Sequence, residues 1–156
     1  MKLAEALQER ADLNVRIKQL NARIESNVLV PEGEEPSEDP NQMLAELRSC
    51  VERLEFLMKK INLSNCTHKV DGVTLTDLIA RKDALKELVS AYRNAITVSS
   101  MTYHRSRGSE IKIISAIDAR ALRKEEDAMS KELRLVDNKL QKANWDFDLI
   151  EDWKSR

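Results

Sequence analysis

The stretch INLSNCTHKVDGVTLTDL, residues 61–78, decides how this chain folds. It holds one of the two cysteines, one of the two histidines and one of the three glycines, so it could be a functional site or a turn between helices. Asp71 and Gly72 form a typical turn pair, and Thr74 can cap a following helix together with Asp77 three residues later. We therefore interpret the stretch as a connection between two long helices.

Amphipathic patterns lie on both sides of this connection and again towards each end of the chain. In four segments apolar residues recur every three or four positions and polar residues fill most of the rest, which is typical of amphipathic helices. The predicted helices cover residues 2–26, 40–62, 74–100 and 118–143. Asp39 and Asp118 are the predicted N-caps of the second and the fourth helix. Four helices of similar length favour a mainly α fold, an antiparallel four-helix bundle with coiled-coil-like packing, as a single domain over residues 1–156.

Composition and charge exclude several classes of protein. The formal net charge of −1 provides no overall field that would attract nucleic acid. No apolar run is long enough to span a bilayer, and the first residues lack the apolar core of a signal peptide. We therefore predict a cytoplasmic protein with no nucleic-acid or membrane partner, in which Cys50 and Cys66 remain thiols.

A β-strand is predicted before the last helix, in the segment EIKIISAI at residues 110–117. The alternating isoleucines are Ile111, Ile113 and Ile117. Alternation of β-branched residues is typical of a strand, and a lone strand cannot satisfy its backbone hydrogen bonds. The partner could be NVLV at residues 27–30, HKVDGVT at residues 68–74, or the same strand in a second copy.

The basic segment YHRSRGSEIK, residues 103–112, is the candidate for ligand binding. Its candidate site residues are Tyr103, His104, Arg105 and Arg107. Two arginines beside a tyrosine and a histidine could bind a phosphate or another anion, or form a catalytic site. The acidic loop at residues 31–39 could instead attract this segment, within one chain or between copies. Both segments could equally be ordinary solvated loops, because exposed charge pairs contribute little.

Metal binding and nucleophilic catalysis find little support in the sequence. The Cys and His residues match no zinc-binding spacing. No phosphate-binding glycine loop and no nucleophile motif is present. We therefore predict no metal and no cofactor, and these absences favour a non-enzymatic protein over an enzyme.

The C-terminal tail, residues 144–156, holds both tryptophans and one of the two phenylalanines. Trp145, Leu149 and Trp153 recur every four residues and would share one face of a helix. The tail could dock on its own bundle, or it could anchor a second copy. Trp145, Phe147 and Trp153, together with Ile111 and Ile113, are therefore the predicted tail or homo-oligomer contacts.

Most of the chain resembles a family of small bacterial proteins labelled septicolysin-like. The resemblance lies in MKLAEALQERADL, EGEEPSEDP, GVTLTDLIARKDAL, SRGSEIKIISAIDARAL and LQKANW, and it extends from Met1 to Trp145. Gly108 departs from the pattern of that family. The family label implies a cytolysin-like membrane activity.

The sequence thus favours a non-enzymatic helical protein that self-associates or scaffolds a partner. The alternative from the residues themselves is a small-molecule or anion site in the basic segment. The alternative from the resemblance is membrane damage.

The register of the second helix predicts a difference between the two thiols. Cys66 lies in the polar connection and Cys50 on the apolar side of the helix, and access limits the rate of thiol modification. We expect a thiol reagent to label Cys66 faster than Cys50 in the native protein, as measured by mass spectrometry of peptides. Equal labelling would show that the register is wrong.

Overall fold

The computed structural model describes residues 1–101 and 113–151. These residues form α1 (Leu3–Asn27), α2 (Pro40–Thr67), β1 (Lys69–Val70), β2 (Val73–Thr74), α3 (Leu75–Ser100) and α4 (Ala119–Asp146). The two strands pair as an antiparallel sheet. The predicted fold class, mainly helical with a small β element before the last helix, is confirmed.

The predicted helix caps are confirmed by their hydrogen bonds. The carboxylate of Asp39 accepts from the N–H of Asn41 at 2.8 Å, and the hydroxyl of Thr74 accepts from the N–H of Asp77 at 3.1 Å. The carboxylate of Asp118 accepts from the N–H groups two and three residues later, at 2.9 and 3.1 Å. Each cap satisfies helical N–H groups that have no partner within the helix.

Helix α2 continues past its predicted end at residue 62 and ends at Thr67. Its last turn contains Ser64, Asn65 and Thr67, residue types that favour helices only weakly. Ser64 is fully buried and its hydroxyl accepts the N–H of Ile150 at 2.8 Å. Tertiary packing therefore extends the helix beyond the point at which local preference would end it.

The strand predicted at residues 110–117 is wrong over residues 113–117, which form no strand; residues 110–112 lie outside the described part. Ile113 and Ile114 are both exposed, at 71% and 76%, so the side chains do not alternate between two environments. The two segments of the chain that were proposed to pair with this strand, residues 27–30 and 68–74, do not pair with residues 113–117. HKVDGVT pairs with itself as β1 and β2, with Asp71 and Gly72 at positive φ in the turn, and residues 28–30 form no strand.

The chain divides into two compact units. The first consists of Met1–Lys69 with Lys142–Arg156, and the second of Val70–Gln141. The division falls inside α4, whose last residues belong to the first unit. The organisation of the whole chain as a single domain stays a prediction.

In the first unit α1 and α2 run antiparallel. Arg53 donates two hydrogen bonds to the carboxylate of Glu9, at 2.6 and 2.9 Å, and Arg16 donates to Glu46 at 2.7 Å. Seven residues forward along α1 correspond to seven residues back along α2, which is the register of two antiparallel helices. The largest fully buried apolar side chains of α1 and α2 are Leu3, Leu20, Leu57 and Ile61.

Residues 147–150, which we name the C-terminal clasp, close the first unit. The N–H of Leu3 donates to the carbonyl of Phe147 at 3.0 Å, and the N–H of Leu149 donates to the carbonyl of Met1 at 2.9 Å. The side chain of Leu149 is only 6% exposed. The clasp is therefore hydrogen-bonded to the start of α1. It is also hydrogen-bonded to α2, because the N–H of Ile150 donates to Ser64.

In the second unit charged side chains link α3 to α4. Lys82 forms an ion pair with Asp137, and Arg93 donates to Glu126 at 2.8 Å. Lys82 and Glu126 each interrupt a row of apolar residues at helical spacing, and each interruption is the place of a cross-helix ion pair. The buried apolar side chains of α3 are Leu75, Leu78, Leu85, Val89 and Ile96.

The packing of the clasp predicts a large loss of stability for one apolar residue of the tail and almost none for another. Leu149→Ala removes a buried side chain and should lower the free energy of unfolding by about 2–5 kcal/mol. Trp145→Ala removes one that is 62% exposed and should change it by less than about 0.5 kcal/mol. Urea denaturation followed by circular dichroism measures both, and equal losses would contradict the packing of the clasp.

Candidate functional site

Most of the predicted site residues lie outside residues 1–101 and 113–151, which the structure describes. Tyr103, His104, Arg105, Arg107, Ile111 and Trp153 lie outside the described residues, and their roles stay predictions. Ile113 and Trp145 are exposed. Phe147 stacks on the ring of His68, with centroids 4.4 Å apart and planes inclined by 4°.

The Cys and His residues of the opening stretch have separate surroundings. The Nε2 of His68 donates to the carbonyl of Asp148 at 2.9 Å, because a carbonyl oxygen can only accept. Asp71 accepts from Lys139 at 2.8 Å, and Cys66 is exposed while Cys50 is half-buried. Within residues 1–101 and 113–151, no three His, Cys, Asp or Glu side chains come together as a metal site would require.

Three large apolar side chains form an exposed row along α2. Leu44, Val51 and Met58 are spaced seven residues apart and are 48%, 46% and 48% exposed. Residues seven apart lie nearly above one another on a helix, so the three side chains form one continuous line, which we name the α2 stripe. Isolated exposed apolar residues are normal, whereas a row at heptad spacing is typical of a helix that meets another helix.

Helix α1 covers only one side of the apolar face of α2. Met43 and Leu57, each one position before a stripe residue, are 4% and 0% exposed. One position on a helix is a rotation of about 100°, so the buried row and the stripe lie on different sides of the same helix. The face is too wide for one neighbour, and its outer edge remains open.

The sequence contains the signal for this stripe. Leu44, Val51 and Met58 widen the apolar pattern of the second helix beyond the row that holds Met43 and Leu57. An apolar face with more than two positions in each heptad is wider than a two-helix contact needs. The excess width is the feature that indicates a second neighbour.

Charged side chains of opposite sign border the stripe. Arg48 lies three residues before Val51 and Glu55 four residues after it, on the same edge of the helix. Arg48 forms no ion pair or hydrogen bond with the described part of the chain. Glu55 accepts a hydrogen bond from Lys59, which holds the pKa of its carboxyl below the ordinary value.

The second unit has a shallow groove of about 310 Å³ between the end of α3 and the residues that precede α4. Val98, Met101, Ile113 and Ile117 supply much of its apolar lining. The groove is an exposed apolar surface, and nothing in the described part of the chain indicates what covers it.

No helix among the described residues combines the length and the apolar character that crossing a bilayer requires. The fold and the stripe together define a helical protein with an open apolar surface on α2.

The chain belongs to a family of unknown function, DUF6847, whose model matches residues 10–149. It is also similar to a solved structure, a functionally unknown conserved protein from Corynebacterium diphtheriae. The two are 34% identical, the match covers 96% of this chain and 99% of that one, and the TM-score is 0.90. No curated protein matches.

The septicolysin-like resemblance stays a prediction, because the description of the matched family says nothing of it. The membrane activity that the label implies stays a prediction as well.

Acid should weaken the contact between α1 and α2. The hydrogen bonds from Arg53 hold the pKa of Glu9 below its ordinary value. The stability that this pair supplies is fully present above the unfolded-state pKa of Glu9, about 4.3, and is lost as the pH falls through the lower folded-state pKa. Between about pH 5 and pH 3, the free energy of unfolding should therefore fall more steeply in the wild type than in Glu9→Gln.

Urea unfolding at a series of pH values and one protein concentration tests this expectation. Glu25→Gln is the matched control, because Glu25 is exposed on α1 and forms no ion pair within the described chain. It should keep the wild-type slope. A Glu9→Gln slope equal to that of the wild type would show that the pair adds nothing to stability.

Proposed function

We propose that this chain is a non-enzymatic cytoplasmic protein that self-associates through the α2 stripe and serves as a structural element or scaffold. The single observation that carries the proposal is the row of Leu44, Val51 and Met58, about half exposed on one edge of α2. The cytoplasmic part is supported by Cys50 and Cys66, which form no disulfide in the structure, as is usual in a reducing compartment.

The energetics of the stripe support association. Burying apolar surface contributes roughly 25 cal/mol per Å², so three half-exposed large side chains represent a few kcal/mol when two copies bury them together. Aliphatic side chains on a surface also reduce solubility unless something covers them. The α1–α2 pair already satisfies the core of the first unit, so the stripe is available to a neighbour.

A scaffold role agrees with the remaining chemistry of the described chain. Its titratable side chains form ion pairs across helices, including those between Arg53 and Glu9 and between Lys82 and Asp137. These pairs orient helices, and the charges that they use face a partner on the same chain. The surface that distinguishes the molecule is apolar and elongated, which suits protein contact better than binding of a small polar ligand.

Mass in solution tests the proposal. At micromolar concentration, multi-angle light scattering should give a mass above that of one 17.9 kDa chain. Leu44→Asp should shift the protein towards the monomer, because it places a carboxylate in the apolar contact.

Leu88→Asp is the matched control. Leu88 is also a helical leucine, 44% exposed against 48% for Leu44, but it lies on α3 in the second unit. It should leave the mass unchanged, and circular dichroism should show that both variants keep their helices. A wild type that stays monomeric at micromolar concentration would overturn the proposed function.

A further inference from the structure

We infer that two copies pair through α2 in an antiparallel, two-fold arrangement centred on Val51, with Arg48 of each copy against Glu55 of the other. This inference rests on the proposed function, since it assumes self-association, and it specifies the partner surface and its orientation.

The stripe is symmetric about its middle residue. Leu44 lies seven residues before Val51 and Met58 lies seven residues after it. In an antiparallel pair centred on Val51, each Leu44 therefore meets the Met58 of the other copy, and the two Val51 side chains meet on the axis. A two-fold interface uses the same patch on both copies, and the equal spacing about Val51 lets an antiparallel pair match this patch to itself along its whole length.

The charges select between the two possible orientations. In the antiparallel pair, Arg48 and Glu55 lie on opposite sides of the axis at nearly equal distances from Val51, so each Arg48 approaches a Glu55. In a parallel pair the two-fold axis runs along the helices, so Arg48 of one copy and Glu55 of the other lie on opposite flanks of the stripe and do not meet. Arg48, which has no partner among the described residues of its own chain, gains one only in the antiparallel pair.

Glu55 already pairs with Lys59 of its own chain, and its carboxylate can also accept from Arg48 of the other copy. The other charges near the centre do not oppose this arrangement. Glu52 follows Val51 and is rotated by about 100° from it, so it lies at the margin of the contact. Arg53 and Glu46 are occupied by Glu9 and Arg16 on the side that α1 covers. Pairing through the stripe therefore leaves the α1–α2 contacts in place.

The length of the contact sets its strength. The stripe runs from Leu44 to Met58, about 21 Å at 1.5 Å per residue. A contact between two helices over that length is small for a stable interface, so we expect a dissociation constant in the micromolar range rather than below it.

Charge reversal tests the orientation. Arg48→Glu alone and Glu55→Arg alone should each weaken self-association by about tenfold, because two symmetry-related attractions become repulsions. An equimolar mixture of the two variants should associate about as well as the wild type, since every cross-pair is again between opposite charges. The double variant Arg48→Glu with Glu55→Arg should also recover, as measured by sedimentation velocity.

Cysteine cross-linking gives an independent readout. In a background of Cys50→Ala and Cys66→Ser, shown first to keep the wild-type mass, mild oxidation with oxidised glutathione should link Val51→Cys to itself. Leu44→Cys and Met58→Cys should not link to themselves alone, but a mixture of the two should form the 44–58 disulfide, because disulfides need Cα atoms within about 7 Å.

The outcomes separate this inference from the proposed function. A monomeric wild type overturns both. A wild-type dimer in which neither single charge reversal weakens association overturns the antiparallel inference and leaves self-association intact. Self-linking of Leu44→Cys and Met58→Cys would likewise overturn it, in favour of a parallel pair.

Discussion

The apolar face of α2 is wider than α1 can cover. The exposed α2 stripe is the part of that face that α1 leaves uncovered. Met43 and Leu57 are buried, whereas Leu44 and Met58, one position further round the helix, are about half exposed. The pairs Arg53–Glu9 and Arg16–Glu46 fix α1 on one side of α2. Rotating α2 to bury the stripe would break those pairs, so the outer edge remains exposed within one chain.

The C-terminal clasp packs within the first unit and is hydrogen-bonded to both α1 and α2. The backbone of residues 147–149 pairs with the first residues of the chain, and the N–H of Ile150 reaches the buried hydroxyl of Ser64. A fully buried serine would be costly if its hydroxyl had no partner. Ser64 is therefore tolerated because the clasp supplies one, and the clasp is ordered because α2 extends far enough to receive it.

Much of the local structure could be predicted from the sequence, because period and capping are local properties. The four helices and the caps at Asp39, Thr74 and Asp118 follow from residue spacing alone. The last turn of α2 and the burial of Leu149 could not be predicted in this way, since both depend on contacts between residues far apart in the chain. The isoleucines near residue 113 show the opposite error, in which a strand-like pattern found no partner strand.

The candidate surface was visible in the sequence only as excess width of an apolar pattern, and periodicity alone does not say which part of a wide face is covered.

The similar protein from Corynebacterium diphtheriae clarifies what the fold itself needs. At 34% identity the two chains share nearly the same structure, with a TM-score of 0.90. Such divergence is compatible with one fold because apolar volume and pattern, rather than particular side chains, determine a helical core. The stripe is not part of that requirement, since Leu44, Val51 and Met58 lie outside the core of the first unit. Polar residues at these three positions would satisfy the fold equally well and would interact better with water. The proposed interface between copies would account for their apolar character, and the order of charges around Val51 would give that interface its direction.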